Sequence, residues 1–419
     1  MRTRGAFAAG ALVLLVACSL PWVGLWDANG VADTGLYGVY GENIAHGLIP
    51  YRDFFMEFPP GAIPALALPA LPGNHYVSWF KAFEFLCALG TLGSLVSILA
   101  RVARSRRSLY AAVGLAAVAP ALLGPISLNS FDYWPAFLTT ASVAVLLAGH
   151  RRSGFALLGA ATAAKLFPAG LLAVALLYDA RRSGRRWRES LALYLGTVLV
   201  IFAPFAILAP GGLRYSLRTQ LARGLQLESL GGALFAAAHH LGGYRPHYTP
   251  NLAYAQLSGP VATAAADVST VLMAAAILLV AWLFTRTPGR DDDFVLSVAA
   301  TVVGIVAFAK VLSPQYLVWL VALVAAVATS PGAPGPLLVL ALGLTQIWVP
   351  DRFAQLQAMD WVTWVLLARD LVLVALFGVL VAELRARRAA DVGAATRAVP
   401  AARHPWQRQT TLGSPDRTA

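Results

Sequence analysis

The sequence predicts an all-α polytopic membrane protein, and three observations carry that prediction. Of 419 residues, 58% are hydrophobic and only 12% charged, a balance outside the range of soluble domains. Apolar runs of about 18 residues or more recur along the chain, each long enough to cross a bilayer at ~1.5 Å per residue. The basic residues fall in short clusters between those runs. Backbone groups in lipid must be satisfied within the segment, so the runs are read as helices. Strand-like alternation over segments of about ten residues is absent, which argues against a barrel.

The elements follow in order. The run 5–25 leads outward from Arg2 and Arg4. Leu15-Val16-Ala17-Cys18 loosely resembles a lipoprotein cleavage box, but the apolar run continues past it, so an uncleaved first helix is expected. Residues 27–72 form an extracytoplasmic first loop. Its last part, 58–72, carries Pro59, Pro60, Pro64, Pro69 and Pro72 and is too short and too broken to span, so it is read as interfacial or re-entrant. The run 76–100 returns to the basic cluster 101–107. Next, 109–126 runs outward to a turn holding Asn129 and Asp132, and 135–148 comes back to Arg151 and Arg152. The segment 155–178 has basic clusters on both sides, so a short cytosolic-side hairpin turning at 165–168 fits better than one crossing. Then 191–208 runs outward to a second large loop, 210–260. The runs 261–284, 294–312, 314–328, 337–349 and 361–383 alternate thereafter. The prediction is about ten crossings plus the hairpin in one membrane domain, 1–384, followed by a basic, disordered cytosolic tail, 385–419.

The net charge of +12 does not indicate nucleic acid. The arginine clusters at 101–107, 151–152, 181–188 and beyond 385 follow the positive-inside pattern, which places both termini in the cytosol. Lys81, Lys165 and Lys310 are the only lysines, all in or beside apolar runs, where such charges mark a pathway or site, although Lys165 could instead snorkel to the cytosolic face. Cys18 and Cys87 offer neither a disulfide framework nor zinc spacing. The triplet 291–293 of aspartates precedes a helix, where capping and dipole complementarity explain it better than a metal. No P-loop, GxGxxG, HExxH or GxSxG motif is present.

The residues available for chemistry lie in the outer loops. Asp33, Glu42, Asp53 and Glu57 sit among aromatics directly after the first span, and carboxylates at a membrane boundary usually mark function. Tyr37, Tyr40, Ile44 and Leu48 recur at helical spacing, giving a short interfacial helix that Gly47 and Pro50 end. Asp33 at its start suits an N-cap and equally a surface base. Arg52 and Asp53 could pair with each other. In the second loop Arg214, Arg218 and Arg223 fall roughly on one helical face, followed by Glu228, His239 and His240. Positive charge outside runs against the topology rule; arginine forks suit phosphate, and headgroup anchoring would use them as well. Lys310, ahead of Gln315 and Tyr316, is placed at the depth of the Asp33 loop. Arg369 is either a site cation or half of a self-compensated pair with Asp370.

The run Asp33-Thr-Gly-Leu-Tyr37, then His46-Gly-Leu-Ile-Pro50-Tyr51-Arg52-Asp53-Phe54 and Glu57-Phe58-Pro59-Pro60, resembles the first-loop signature of the C superfamily of integral-membrane glycosyltransferases. It is most similar to the bacterial polyprenyl-phosphate-mannose-dependent mannosyltransferases of glycosyltransferase family eighty-seven. Lys165-Leu-Phe-Pro168, Arg223-Gly-Leu-Gln-Leu-Glu228-Ser-Leu and Ser313-Pro-Gln-Tyr316 resemble later blocks of that family. The resemblance implies a bundle of that superfamily's type in a bacterial inner membrane. It also implies transfer of a hexose, expected to be mannose, from a polyprenyl-phosphate donor to an envelope glycolipid or polysaccharide on the extracytoplasmic face. By the same resemblance Asp33 is the base of an inverting displacement. Tyr37, Glu42, Arg52, Asp53, Glu57, Arg214, Arg218, Arg223, Glu228, His239, His240, Lys310, Gln315, Tyr316 and Arg369 are the candidates for substrate contact. No cofactor or metal is called for, because the donor brings its own leaving group. The competing reading is a transporter or flippase of polyprenyl-linked sugars. Such proteins place charges at mid-bilayer between inverted repeats, and no internal repeat is visible here.

Overall fold

The computed structural model describes residues 2–23, 33–103, 105–243, 247–251, 254–328 and 334–398. The tail beyond 398 lies outside them.

Helix α1 (Arg2–Ser19) is followed, within the first loop, by α2 (Thr34–Ala45) and α3 (Ile63–Ala67). Two 3-10 turns, Pro60–Ala62 and Leu68–Ala70, flank α3. The prolines set φ for these turns and remove the donors a longer helix would need, so 60–70 stays too short to span. Then come α4 (Tyr76–Val102), α5 (Arg106–Leu123), α6 (Tyr133–Leu147), α7 (Arg151–Ala164), α8 (Leu172–Ser183) and α9 (Trp187–Leu208). The second loop holds α10 (Pro210–Leu221) and α11 (Leu230–Gly242). The remainder is α12 (Pro260–Thr285), α13 (Asp291–Phe308), α14 (Val318–Val327), α15 (Pro334–Trp348), α16 (Phe353–Gln357) and α17 (Val362–Ala398).

Five of these helices are long and apolar enough to cross a membrane: α4, α5, α9, α12 and α17. Helices α13 and α14 form the centre of the bundle, with every residue of α14 buried. Helix α9 lies at the periphery and exposes Leu199, Val200 and Ile207, an apolar face suited to lipid. The chain is a multi-pass membrane protein.

The arginine clusters tie one end of the bundle together. Arg151 pairs with Glu189 at 2.5 Å, joining the start of α7 to that of α9. Arg181 donates to the carbonyls of Thr287 and Thr285 at 2.9 Å, where α12 ends, and Arg182 pairs with Asp291. The Arg290 amide donates to Asp293 Oδ2 at 3.0 Å, and Arg387 reaches Asp292 and Asp293 at 3.0 and 3.2 Å. The aspartate triplet therefore caps α13 and holds the last helix, and no metal-holding group of His, Cys, Asp and Glu occurs among the described residues.

These contacts resolve the 155–178 segment. Helix α7 leaves the arginine-rich end at Arg151, and α8 returns to it at Arg181, so the segment is a hairpin turning at Lys165. Its apex reaches the opposite end of the bundle, much deeper than a cytosolic-side hairpin. Lys165 does not snorkel toward the arginines. Its ammonium lies 2.5 Å from Asp132 Oδ1, at the start of α6.

Two further differences from expectation appear. A three-stranded antiparallel sheet, β1 (Leu225–Gln226), β3 (Tyr254–Ser258) and β2 (His247–Asn251) in that order, folds the second loop back on itself. The segment 385–398, expected in the disordered tail, continues α17. Arg387 is the reason near the boundary: its pairs with Glu383 (2.7 Å), Asp292 and Asp293 reward another helical turn.

Candidate active site

The end of the bundle opposite the arginines holds a cavity of about 220 Å³. Asp33, Tyr37, Glu57, Phe58, Lys165, Gln220, Arg223, Ser313, Gln315, Tyr316 and Trp319 are among its walls.

Each wall residue is placed by an identifiable local cause. Asp33 occupies the N-cap position of α2, yet its carboxylate makes no capping bond. Instead Oδ2 accepts a hydrogen bond from Tyr37 Oη at 3.1 Å, one helical turn on. Tyr37 is buried in a cluster of rings, with Phe58, Phe80 and Phe131 at centroid distances of 5.7, 5.4 and 5.6 Å. Such packing fixes the ring and hence the hydroxyl it offers. Glu57 follows the turn that Tyr51 braces, Tyr51 Oη donating to the Phe58 carbonyl at 2.5 Å. Gln220, in the last turn of α10, donates to the Glu57 carbonyl at 3.0 Å. The loop is pinned from outside by Gly212: a Cβ there would lie 1.8 Å from the Tyr51 carbonyl oxygen, so only glycine allows this approach.

Lys165 enters through the break between α7 and the 3-10 turn Phe167–Leu171, where Pro168 prevents helix continuation. Its ammonium lies 4.7, 4.8 and 5.1 Å from the ring centroids of Phe131, Tyr316 and Trp319. Trp319 stacks between Phe167 and Tyr316, at 3.9 and 4.2 Å.

The electrostatics follow from this enclosure. Asp33 is exposed by surface area, yet it lines the cavity and protein crowds its carboxyl. Desolvation therefore raises its pKa above the ordinary aspartate range, the Tyr37 hydrogen bond opposes the rise, and the Asp132 charge adds to it. Lys165 and Arg223 pull it down more weakly. Glu57 is likewise raised by burial, with Arg223 opposing and Asp33 reinforcing. Two carboxylates and two cations thus share one partly dry cavity.

Of the residues singled out from sequence, the structure brings Asp33, Tyr37, Glu57, Arg223, Gln315 and Tyr316 to the cavity. The others lie elsewhere. Glu42 is exposed on α2. Arg52 and Asp53 form an exposed pair at 2.8 Å, and Asp53 also accepts from the Ile49 amide, which makes the two a turn clasp. Arg214 and Arg218 are exposed because Leu213 and Ser216 turn the other face of α10 inward. His240 bonds Thr363 Oγ1 at 2.8 Å and stacks on Trp364, with His239 beside it on α11. Lys310 donates to the Leu221 carbonyl at 3.0 Å, capping the end of α10 instead of facing the cavity. Arg369 is fully buried, 2.7 Å from Asp370 Oδ1, and donates to the Glu228 carbonyl at 2.7 Å. Glu228 is buried with it, its carboxyl pushed up to about 7 by desolvation against the attraction of Arg369.

Lys165, Gln220, Ser313 and Trp319 were not among the sequence-derived site residues. The signal for Lys165 was present: a lysine in mid-run, at the turn of a segment with basic residues on both sides.

The model of glycosyltransferase family 87 matches residues 55–314, more than half of the chain. The chain belongs to glycosyltransferase family 87. It is accordingly a membrane glycosyltransferase. The match takes in Glu57, Lys165, Gln220, Arg223 and Ser313 of the cavity, while Asp33 and Tyr37 precede it and Gln315, Tyr316 and Trp319 follow it. None of the curated proteins matches the chain.

Proposed function

We propose that this protein transfers a hexose, mannose in the first instance, from a polyprenyl-phosphate donor to an envelope glycolipid or polysaccharide. The cavity faces the extracytoplasmic side of a bacterial inner membrane, with both termini cytosolic. The observation that carries the reading is the meeting of Asp33 and Glu57 with Arg223 and Lys165 in one aromatic-walled cavity, at the end of the bundle away from the arginine clusters.

The chemistry follows from those groups. The Asp33 carboxylate takes the proton of an acceptor hydroxyl. The acceptor oxygen attacks the anomeric carbon, and the bond from that carbon to the phosphate oxygen breaks. The electron pair leaves with the polyprenyl phosphate, and the positive side chains in the cavity stabilise that departing charge. Phosphate is a competent leaving group, so a second carboxylic acid to protonate it is unnecessary, in contrast to a glycosidase. The raised pKa of Asp33 strengthens it as a base. Glu57 and the ring stack of Tyr316 and Trp319 are suited to sugar hydroxyls and sugar C–H faces respectively.

The test is transfer of radiolabelled mannose from a short-chain polyprenyl-phosphate mannose to membrane glycolipid by the detergent-purified full chain. A new glycosidic bond, found by mass spectrometry, supports the reading and dismisses transport, which leaves no covalent product. Donor left intact while it crosses sealed vesicles would overturn it.

A further inference from the structure

Asp132 was given no contact with substrate above, yet it is an enclosed charged group that holds two walls of the cavity, Lys165 and Trp319. It is fully buried at the start of α6 and, like Asp33, makes no capping bond. One oxygen, Oδ1, accepts from both Lys165 Nζ at 2.5 Å and Trp319 Nε1 at 2.7 Å. The other, Oδ2, has no hydrogen-bond partner among the described residues. Lys165 therefore hangs between one carboxylate oxygen and three ring faces, with 16% of its side chain exposed, and lines the cavity. An ammonium needs such support to stay in place. A mostly buried cation stripped of its counter-ion either loses its proton or moves toward water.

We propose that Lys165 binds the phosphate of the lipid-linked donor and of the departing prenyl phosphate, and that Asp132 is its positioning residue. Lysine presents a compact point charge with three donors. One is spent on Asp132, and the ring faces steer the rest toward the open side, where the cavity is. Leu166, the next residue, lines the cavity too and is exposed, so an apolar chain attached to the phosphate has somewhere to lie. Asp132 acts at a distance. It is walled off from the cavity by the groups it holds, and its effect on an anion passes through the ammonium. The inference rests on the polyprenyl-phosphate reading, but a binding measurement tests it without turnover.

The experiment measures binding of farnesyl phosphate, with farnesol as the uncharged control, to the detergent-purified full chain and to Asp132→Asn, Lys165→Met and the double variant. Asp132→Asn and Lys165→Met are each expected to weaken farnesyl phosphate at least tenfold and to leave farnesol unchanged. Lys165→Met removes a charge-assisted hydrogen bond to the phosphate, and Asp132→Asn removes the anion that holds its donor in place. The double variant is expected to bind no more weakly than Lys165→Met alone, because Asp132 works through Lys165. Additive losses, equal losses for farnesol, or tighter phosphate binding by Asp132→Asn would overturn the proposal. Should Asp132→Asn fail to fold, Trp319→Phe removes one donor from Asp132 without a change of charge. It is expected to weaken farnesyl phosphate in the native background and to have no effect beside Lys165→Met; an effect that persists there refutes the coupling. Failure of the sugar-transfer reading is seen separately, as binding of farnesyl phosphate without transfer.

Discussion

Gly61 is where the first loop and the Lys165 turn touch, and replacing it with alanine probes whether their contact sets the site. A Cβ at Gly61 would stand 2.4 Å from the Ala163 carbonyl carbon, 2.5 Å from the Ala164 amide nitrogen and 2.6 Å from the Ala163 oxygen. Ordinary contact begins near 3.4 Å, so backbone must retreat by about 1 Å, since no flexible side chain can yield instead. Ala163 and Ala164 are completely buried, and Trp134 Nε1 anchors the Gly61 carbonyl at 2.9 Å from the other side. Overpacking of this kind costs about 1–3 kcal/mol of stability. The larger effect is on rate. Lys165 directly follows the displaced residues, and a misplacement of about 1 Å at a reacting centre can cost ~100-fold. Gly61→Ala is therefore expected to lower kcat/KM for sugar transfer by about two orders of magnitude while the protein still purifies as a folded species. Thermal unfolding in detergent and initial rates at several donor concentrations measure the two effects. A variant with native rates and a native melting temperature would refute the idea that this backbone contact holds the cavity.

Further outcomes are expected. Asp33→Asn keeps an acceptor for Tyr37 but loses the base, so transfer should fall by about 10²–10⁴-fold with little change in melting temperature; near-native turnover removes Asp33 from that role. On the proposed mechanism the base is ionised Asp33, whose pKa burial has raised, so the rate should decline with falling pH at values higher than for an ordinary aspartate. Tyr37→Phe deletes the hydrogen bond that favours the ionised form, and the acidic limb of the kcat/KM profile should move to still higher pH; a shift to lower pH contradicts the geometry. Arg369→Met takes from buried Asp370 the cation paired with it and should cost about 3–5 kcal/mol, much of it recovered by Arg369→Met with Asp370→Leu. Equal stability of the two variants, read from denaturation in detergent, would show that the pair is not what supports this part of α17.

Parts of the site were legible because their causes are local. Asp33 and Tyr37 meet one helical turn apart, and the proline-broken segment after Glu57 cannot span, so both follow from spacing alone. The arginines of the second loop show where local reasoning stops. Arg214 and Arg218 do share a face of α10, but which face packs inward is decided by Leu213 and Ser216 meeting the rest of the protein. Arg223 reaches the cavity because α10 ends at Leu221, which frees it from the helical period that had grouped it with the other two. Lys310 was expected to face the first loop, yet its ammonium meets the Leu221 carbonyl, a partner 89 positions away.

By itself the sequence determined that the chain is a helical membrane bundle with its inter-helix arginine clusters at one end and its first-loop carboxylates at the other, because hydropathy and charge act on each segment separately. It also carried the family resemblance. Only the tertiary structure decided which cations face those carboxylates. Lys165 meets Asp132 across 33 positions and Asp132 meets Trp319 across 187. Contacts over such separations depend on which helices pack together, and no periodicity within one segment encodes that choice.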